Sequence, residues 1–248
     1  MKFDIVVNRE QFISRILSPV SKMSSKAVLI LEGNRIFAVA NLTNASNGQM
    51  FVLSDIPMKN TIDEKVTMVV GNVPKVITAL KAVKSEMILI SYDGTGLEYR
   101  SETVSFRIRL SSEVIKIPFN KDKLLSLKIN ASFTVSQSEL REFSSILSGF
   151  SNLNQIKITE KDNHVVFDNA DRDGVSGESL KFAIEDSPNG HIPDDFIVYN
   201  YIFRSVGLSS MGTLEVKIGD AFCMMCSKAS SPDGGEIRYI LPKLKVKV

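Results

Sequence analysis

The chain has 248 residues, 44% hydrophobic and 23% charged, with a formal net charge of +2. That suffices for one large domain or two of about 120 residues, and it excludes a bulk polybasic chain, so any nucleic-acid contact must come from charge sorted onto one surface. Cys223 and Cys226 are the two cysteines, too few for a disulfide framework. Their C-x-x-C spacing lies inside an apolar run, and the histidines are His164 and His191, so a four-ligand zinc set is not offered and half-buried strand thiols are expected. Residues 1–5 lack the apolar run of a signal peptide, and no stretch is long enough to span a bilayer, which predicts a soluble, intracellular, cytoplasmic protein.

In chain order, residues 3–7 alternate as a strand, and 9–22 place Phe12, Ile13, Ile16, Leu17 and Val20 at helical spacing. Asn8 is the expected N-cap, and Pro19 is expected to kink or shorten this helix. Strands at 27–31 and 35–40 flank Gly33-Asn34, and another follows at 50–53. The order then recurs. A strand at 66–70 leads through Asn72 and Pro74 into a helix with Val73, Val76, Ile77, Leu80 and Val83 on one face. Strands at 87–92 and 97–100 flank Asp93-Gly94, and 104–110 closes the half. The third copy has a strand at 132–135, then Ser136 with Glu139 in capping-box spacing, then a helix carrying Leu140, Phe143, Leu147 and Phe150. Strands at 156–159 and 165–168 flank Asp162-Asn163, and 178–184 alternates. The fourth has strand 196–199, a short helix at 201–208, strands 213–218 and 221–226 about Gly219-Asp220, and strand 236–241.

Strand, helix, hairpin, strand thus occurs four times. The widest gap between hairpin turns holds Pro118, Asn120 and Lys121-Asp122-Lys123. This predicts an α+β protein of two domains, residues 1–112 and 127–248, joined by a linker at 113–126, each domain built from two copies of the unit.

Catalytic motifs are missing: the sequence has no G-x-S-x-G elbow, P-loop or dinucleotide fingerprint. Asp168, Asp171, Asp173 and Asp194-Asp195 suggest a metal-dependent nuclease at most; residues 169–174 read more simply as a polar loop lacking the terminal Glu of a calcium loop. A non-enzyme without a cofactor is expected.

The fourfold order resembles the DNA polymerase sliding clamp family, which includes PCNA and the clamps of tailed phages. Ile117-Pro118-Phe119, then a strand, then Ser138-Glu139-Leu140 opening a helix, is similar to the linker and second-domain entry of phage clamps. Tyr239-Ile240-Leu241-Pro242-Lys243-Leu244 is similar to the C-terminal strand of PCNA-like clamps. The resemblance implies helices on the inner face of antiparallel sheets and a processivity factor that encircles duplex DNA without reading its sequence. A family ring has twelve inner helices, so four per chain imply a homotrimer. It further implies a DNA polymerase as partner, a separate clamp loader ATPase, and for a phage-encoded clamp a bacterial host cytoplasm. A monomeric, non-encircling processivity factor and a β-rich virion component are the alternatives.

Opposite the apolar helix faces, Arg15, Ser18 and Lys22 share one stripe, and Lys75, Thr78, Lys81 and Lys84 share another. Arg141 and Arg204 are the cations of the third and fourth helices; Glu139 and Glu142 lie near the former. These basic residues are the expected DNA contacts, since Lys and Arg on rigid helices attract phosphate without base readout. By resemblance, a partner peptide would bind between Val114, Ile115, Ile117, Pro118 and Phe119 of the linker and Tyr239, Ile240, Leu241 and Pro242 near the C-terminus. Candidate subunit edges are the strands bearing Val104, Phe106 and Ile108, and Leu180, Phe182 and Ile184. The sequence pI near 8.4 departs from the family's usual acidity.

Overall fold

The computed structural model describes residues 2–44, 48–112, 121–150, 153–169, 179–205, 208, 211–230 and 234–244. The chain packs as two units: Met1–Leu42, Phe51–Lys121 and Lys228–Ile237 form the first, and Thr43–Met50, Asp122–Ser227 and Arg238–Val248 the second.

Unit one takes most of the N-terminal half. Strand β1 (Phe3–Asn8) leads into helix α1 (Arg9–Gln11), a π-helical segment (Phe12–Leu17) and α2 (Ser18–Ser21). The expected single α-helix at 9–22 is therefore α, then π, then α. Proline supplies the reason. Pro19 has no N–H to give the carbonyl four residues back, and the wider turn instead lets the Ser18 N–H donate to Ile13 O. Asn8 Oδ1 accepts from the Gln11 N–H at 3.0 Å, as an N-cap should.

Strand β2 (Ala27–Asn44) runs as one element through Gly33, whose φ is +59°, rather than as two strands. Likewise β3 (Gly48–Val70) joins the strands expected at 50–53 and 66–70. From Ile56 onward its buried residues, Ile56, Met58, Ile62, Val66, Met68 and Val70, fall on even positions, the two-residue period of a strand. Helix α3 (Val73–Lys81) follows, capped by Asn72, whose side chain accepts from the Lys75 N–H at 3.0 Å. Strands β4 (Met87–Tyr92), β5 (Gly96–Arg100) and β6 (Ser105–Arg109) complete the unit.

The second half begins with α4 (Lys121–Leu125), a short helix where a linker was expected. Strand β7 (Ala131–Val135), helix α5 (Gln137–Gly149), β8 (Gln155–Lys161), β9 (His164–Asn169), β10 (Lys181–Ile184) and a two-residue β11 (Asn189–Gly190) come next. Then come β12 (Phe196–Tyr199), α6 (Tyr201–Ser205), β13 (Leu214–Ile218), β14 (Phe222–Lys228) and β15 (Glu236–Pro242). The β8–β9 turn places Asp162 and Asn163 at φ +51° and +63°, the doubly left-handed pattern of a tight hairpin.

The sheets show how the repeats combine. In unit one the order is β1-β4-β5-β6, and in unit two one sheet is β10-β9-β8-β12, with antiparallel pairing throughout. A further run in unit two is β7-β13-β14-β15. In each, the entry strand of one repeat joins the hairpin and closing strand of another. Neither copy can complete its sheet alone, so the repeats fold as pairs.

The helices pack in pairs as well: α3 lies against the π segment and α2, and α5 against α6. Ile16, Leu17, Val20, Val76 and Leu80 are buried in unit one. Unit two centres on aromatic rings, with Phe143 at 5.1 Å from Phe167, 5.3 Å from Phe182 and 5.0 Å from Phe203. These contacts tie α5 to β9, β10 and α6, and each buried ring contributes roughly 1.5–3 kcal/mol through apolar burial. Cys223 and Cys226 are both fully buried on β14, deeper than the half-buried thiols expected, and burial raises the pKa of the Cys223 thiol. Among the described residues no helix is long and apolar enough to cross a membrane.

Candidate nucleic-acid interface and edge strands

Helix α3 has two chemically distinct sides. Val73, Val76 and Leu80 are buried, while Lys75, Thr78 and Lys81 are exposed at the three-residue spacing of one stripe; Lys84, just past the helix, is exposed too. Thr78 satisfies its own hydroxyl by donating to Pro74 O at 3.1 Å, which leaves the two ammonium groups as the outward polar chemistry. Such a row gives electrostatic attraction to phosphate without base discrimination.

The first helical run contributes differently. Lys22 is exposed at its end, although adjoining protein lowers its pKa by desolvation. Arg15 is turned inward: its Nη2 donates to Gly235 O at 3.4 Å. Burial lowers the Arg15 pKa, opposed by the charges of Asp55 and Glu236. Sequence spacing placed Arg15 and Lys22 on one stripe, but Arg15 lies within the π segment, whose wider turn changes its angular offset from Lys22.

In unit two, Arg141 is exposed on α5 together with Ser138, Ser145 and Ser148, with Glu142 exposed beside it. Glu139 does not share that surface. It is buried, closing the capping box with Ser136. The Arg204 side chain lies outside the described residues.

Of the expected peptide-binding residues, Val114, Ile115, Ile117, Pro118 and Phe119 lie outside the described residues. Tyr239, Ile240 and Leu241 are buried in β15, and Pro242 is half exposed. The Tyr239 hydroxyl has no hydrogen-bond partner among the described residues, and burial raises its pKa.

Both candidate edge strands are terminal in their sheets: β6 ends the sheet of unit one, and β10 ends one sheet of unit two. Phe106 and Ile108 of β6 are half-buried, with Phe106 stacked on Tyr99 at 5.4 Å, and Val104 just before them is half-buried too. Leu180, Phe182 and Ile184 are buried in the core of unit two. What β10 presents outward is therefore main chain rather than these side chains.

Sequence reasoning overlooked Asn60, whose carboxamide meets the backbone of β1: Oδ1 accepts from the Val6 N–H at 2.9 Å and Nδ2 donates to Asp4 O at 2.6 Å. Its signal was a polar residue at an even, inward position of the β3 alternation.

No protein-family model matches the sequence, and no curated protein matches it. Solved structures do. The A. fulgidus PCNA, solved with the C-terminal region of FEN-1 bound, aligns over 100% of both chains at a TM-score of 0.73 and 15% identity. A chain of the Sulfolobus tokodaii PCNA2–PCNA3 complex aligns over 97% of this chain and 99% of its own, at 0.72 and 11%. The DNA polymerase III beta subunit of Thermotoga maritima aligns over 100% of this chain but 66% of its own, at 0.71 and 15%. The chain has the two-domain, PCNA-like sliding clamp fold, α+β with antiparallel sheets.

Proposed function

We propose that this chain is a subunit of a ring-shaped DNA polymerase processivity clamp, made of two clamp domains at 1–112 and 127–248 joined by 113–126. The carrying observation is the outward lysine row of α3, Lys75 and Lys81, on a chain whose whole length takes the clamp fold. Lys22, Lys84 and Arg141 extend the basic surface, whereas Arg15 serves the packing of unit one in the absence of DNA. The ring catalyses no reaction. Its action is topological: it holds the polymerase at high effective concentration near the template. A separate ATPase loads it.

Three copies close the ring by head-to-tail contacts between β6 of one and β10 of the next, in keeping with their terminal places in the sheets. In the S. tokodaii complex, PCNA2 and PCNA3 associate with one another, and the A. fulgidus protein binds a C-terminal segment of FEN-1. By analogy, partner peptides here engage the linker apolar residues and the Pro242 end of β15. The linker resembles that of tailed-phage clamps, which supports a phage-type clamp acting in the host cytoplasm.

Native mass spectrometry, followed by retention on circular and linear duplex, tests the reading. A mass of three chains and longer retention on the circle are expected. A mass of one chain, or equal retention on both DNAs, overturns encirclement.

A further inference from the structure

A ring of identical copies needs one edge that gives and one that receives. Two four-stranded sheets here supply four terminal strands: β1, β6, β10 and β12. Were all four open, copies could join in several ways and grow into open polymers, because an unpaired row of N–H and C=O groups is a template for another strand.

The structure treats the four differently. At the middle of β1, Val6 pairs with Leu89 and Asp4 with Ser91 of β4, and the Val6 N–H and Asp4 C=O are both taken by Asn60. One planar carboxamide, accepting at 2.9 Å and donating at 2.6 Å, satisfies the two groups that a neighbouring strand would use. At β12, the Leu244 N–H donates to Ile197 O at 2.8 Å. Beside it, Lys243 Nζ donates to Asp194 O at 3.2 Å and lies 5.6 Å from the Phe196 ring centroid. By contrast, among the described residues the ladder of β6 runs to β5 and that of β10 to β9, and the opposite side of each is covered past its end rather than at its middle: the Ser111 N–H donates to Val69 O at 2.9 Å beside the Val70–Leu110 bridge, and the Glu185 N–H donates to Glu139 Oε1 at 2.8 Å.

We infer that Asn60 in unit one, and Lys243 with Leu244 in unit two, seal β1 and β12 against strand addition, so that a second copy is directed to β6 and β10. The inference rests on the reading that copies join by edge pairing, and it assigns the residues that decide which edges do so. Asn60 acts as a surrogate peptide group. Its carboxamide occupies the Val6 N–H and the Asp4 C=O, so an incoming strand finds these two groups of the edge already bonded.

Two variants test it, Asn60→Ala and Leu244→Pro, with Asn60→Asp as a third that keeps the volume but loses the donor to Asp4 O. Sedimentation velocity across a concentration series gives the limiting mass, and hydrogen exchange reports the Val6 amide. Wild type is expected to hold one limiting mass. Each variant is expected to form heavier species as concentration rises, and Val6 exchange in Asn60→Ala to quicken on the order of fivefold to tenfold, the loss of one hydrogen bond. Unchanged Val6 exchange, or faster exchange with the wild-type limiting mass retained in the variants, overturns the sealing role. A wild type limited to one chain would end the ring reading, while heavier species in the variants would still support the seal.

Discussion

Glu139 and Ser136 hold each other's backbone. Glu139 Oε2 accepts from the Ser136 N–H at 2.7 Å, and Ser136 Oγ accepts from the Glu139 N–H at 3.2 Å. Glu139 Oε1 also accepts from the Glu185 N–H at 2.8 Å, just past the end of β10. One buried carboxylate therefore starts α5 and fixes the end of a proposed subunit edge. Replacing it with alanine keeps the Ser136 N-cap bond but removes the Glu139 half of the capping box and strands two N–H donors. Glu139→Ala is expected to lower stability by about 2 kcal/mol, read from urea unfolding, and to speed exchange of the Glu185 amide.

Acid should loosen the molecule at Asp93. Its Oδ1 accepts from the Thr95 N–H, the Thr95 hydroxyl and the Gly96 N–H, each at 2.9 Å, and Arg107 lies 2.5 Å from Oδ2. The Thr95 backbone and hydroxyl, followed by Gly96 and Arg107, hold the carboxyl pKa down from 3.8 to about 2. A depressed folded pKa means that the unfolded chain takes up the proton first. The stabilisation is present above pH 3.8 and is lost as pH falls toward about 2. Asp93→Asn is expected to flatten the stability profile in that window, measured by melting at stepped pH, and to leave it unchanged near neutrality apart from a constant offset. An identical slope in both proteins would count against this role.

The repeat was legible because its signals are local. Helical spacing in 73–83, the capping box at Ser136 and the Asp162-Asn163 turn each follow from a few neighbouring residues, and the structure has each of them. What escaped depends on distant partners. The even-position alternation of β3 was hidden by Pro57, Asn60 and Glu64, and Asn60 makes sense only once β1 lies opposite it. Arg15 reads as a surface cation because its spacing from Lys22 fits an α-helix; the π segment alters that phase, and Asp55 and Glu236, far along the chain, supply the inward field. Edge status was foreseeable only as a pair of candidate strands, since strand order is a property of the folded sheet.

Gly235 couples the Arg15 environment to the sheet. Its φ is +82°, and a Cβ there would stand 1.8 Å from Asp55 O. Its carbonyl accepts from Arg15 and, at 3.1 Å, from the Ala229 N–H. Since the clash is with backbone, Gly235→Ala must displace the chain. A loss of about 3 kcal/mol or more is expected, from strain and broken hydrogen bonds together. Thermal unfolding followed by circular dichroism measures it, and Gly33→Ala is the useful contrast: its φ of +59° is similarly unfavourable, but its Cβ meets nothing within 4 Å. Gly33→Ala should cost only about 1 kcal/mol. Equal losses would show that backbone conformation, not the contact with Asp55, sets the effect.

The lysines of α3 make the sharpest prediction about DNA. Lys75 and Lys81 are exposed and lie on the side of the helix away from Val76 and Leu80, so glutamine at either position removes charge without touching the core. If each neutralises one phosphate, the slope of log affinity against log salt falls by about 0.9 per substitution, and by about 1.8 in the double variant. The weakening should be the same on unrelated duplex sequences, because phosphate contacts carry no base information. Arg15→Gln separates a surface cation from a packing one: with its guanidinium directed at Gly235 O, it should lower the melting temperature and leave the salt slope near the wild-type value. A full unit change in slope for Arg15→Gln, with none for the lysines, would place the DNA on a different face of unit one.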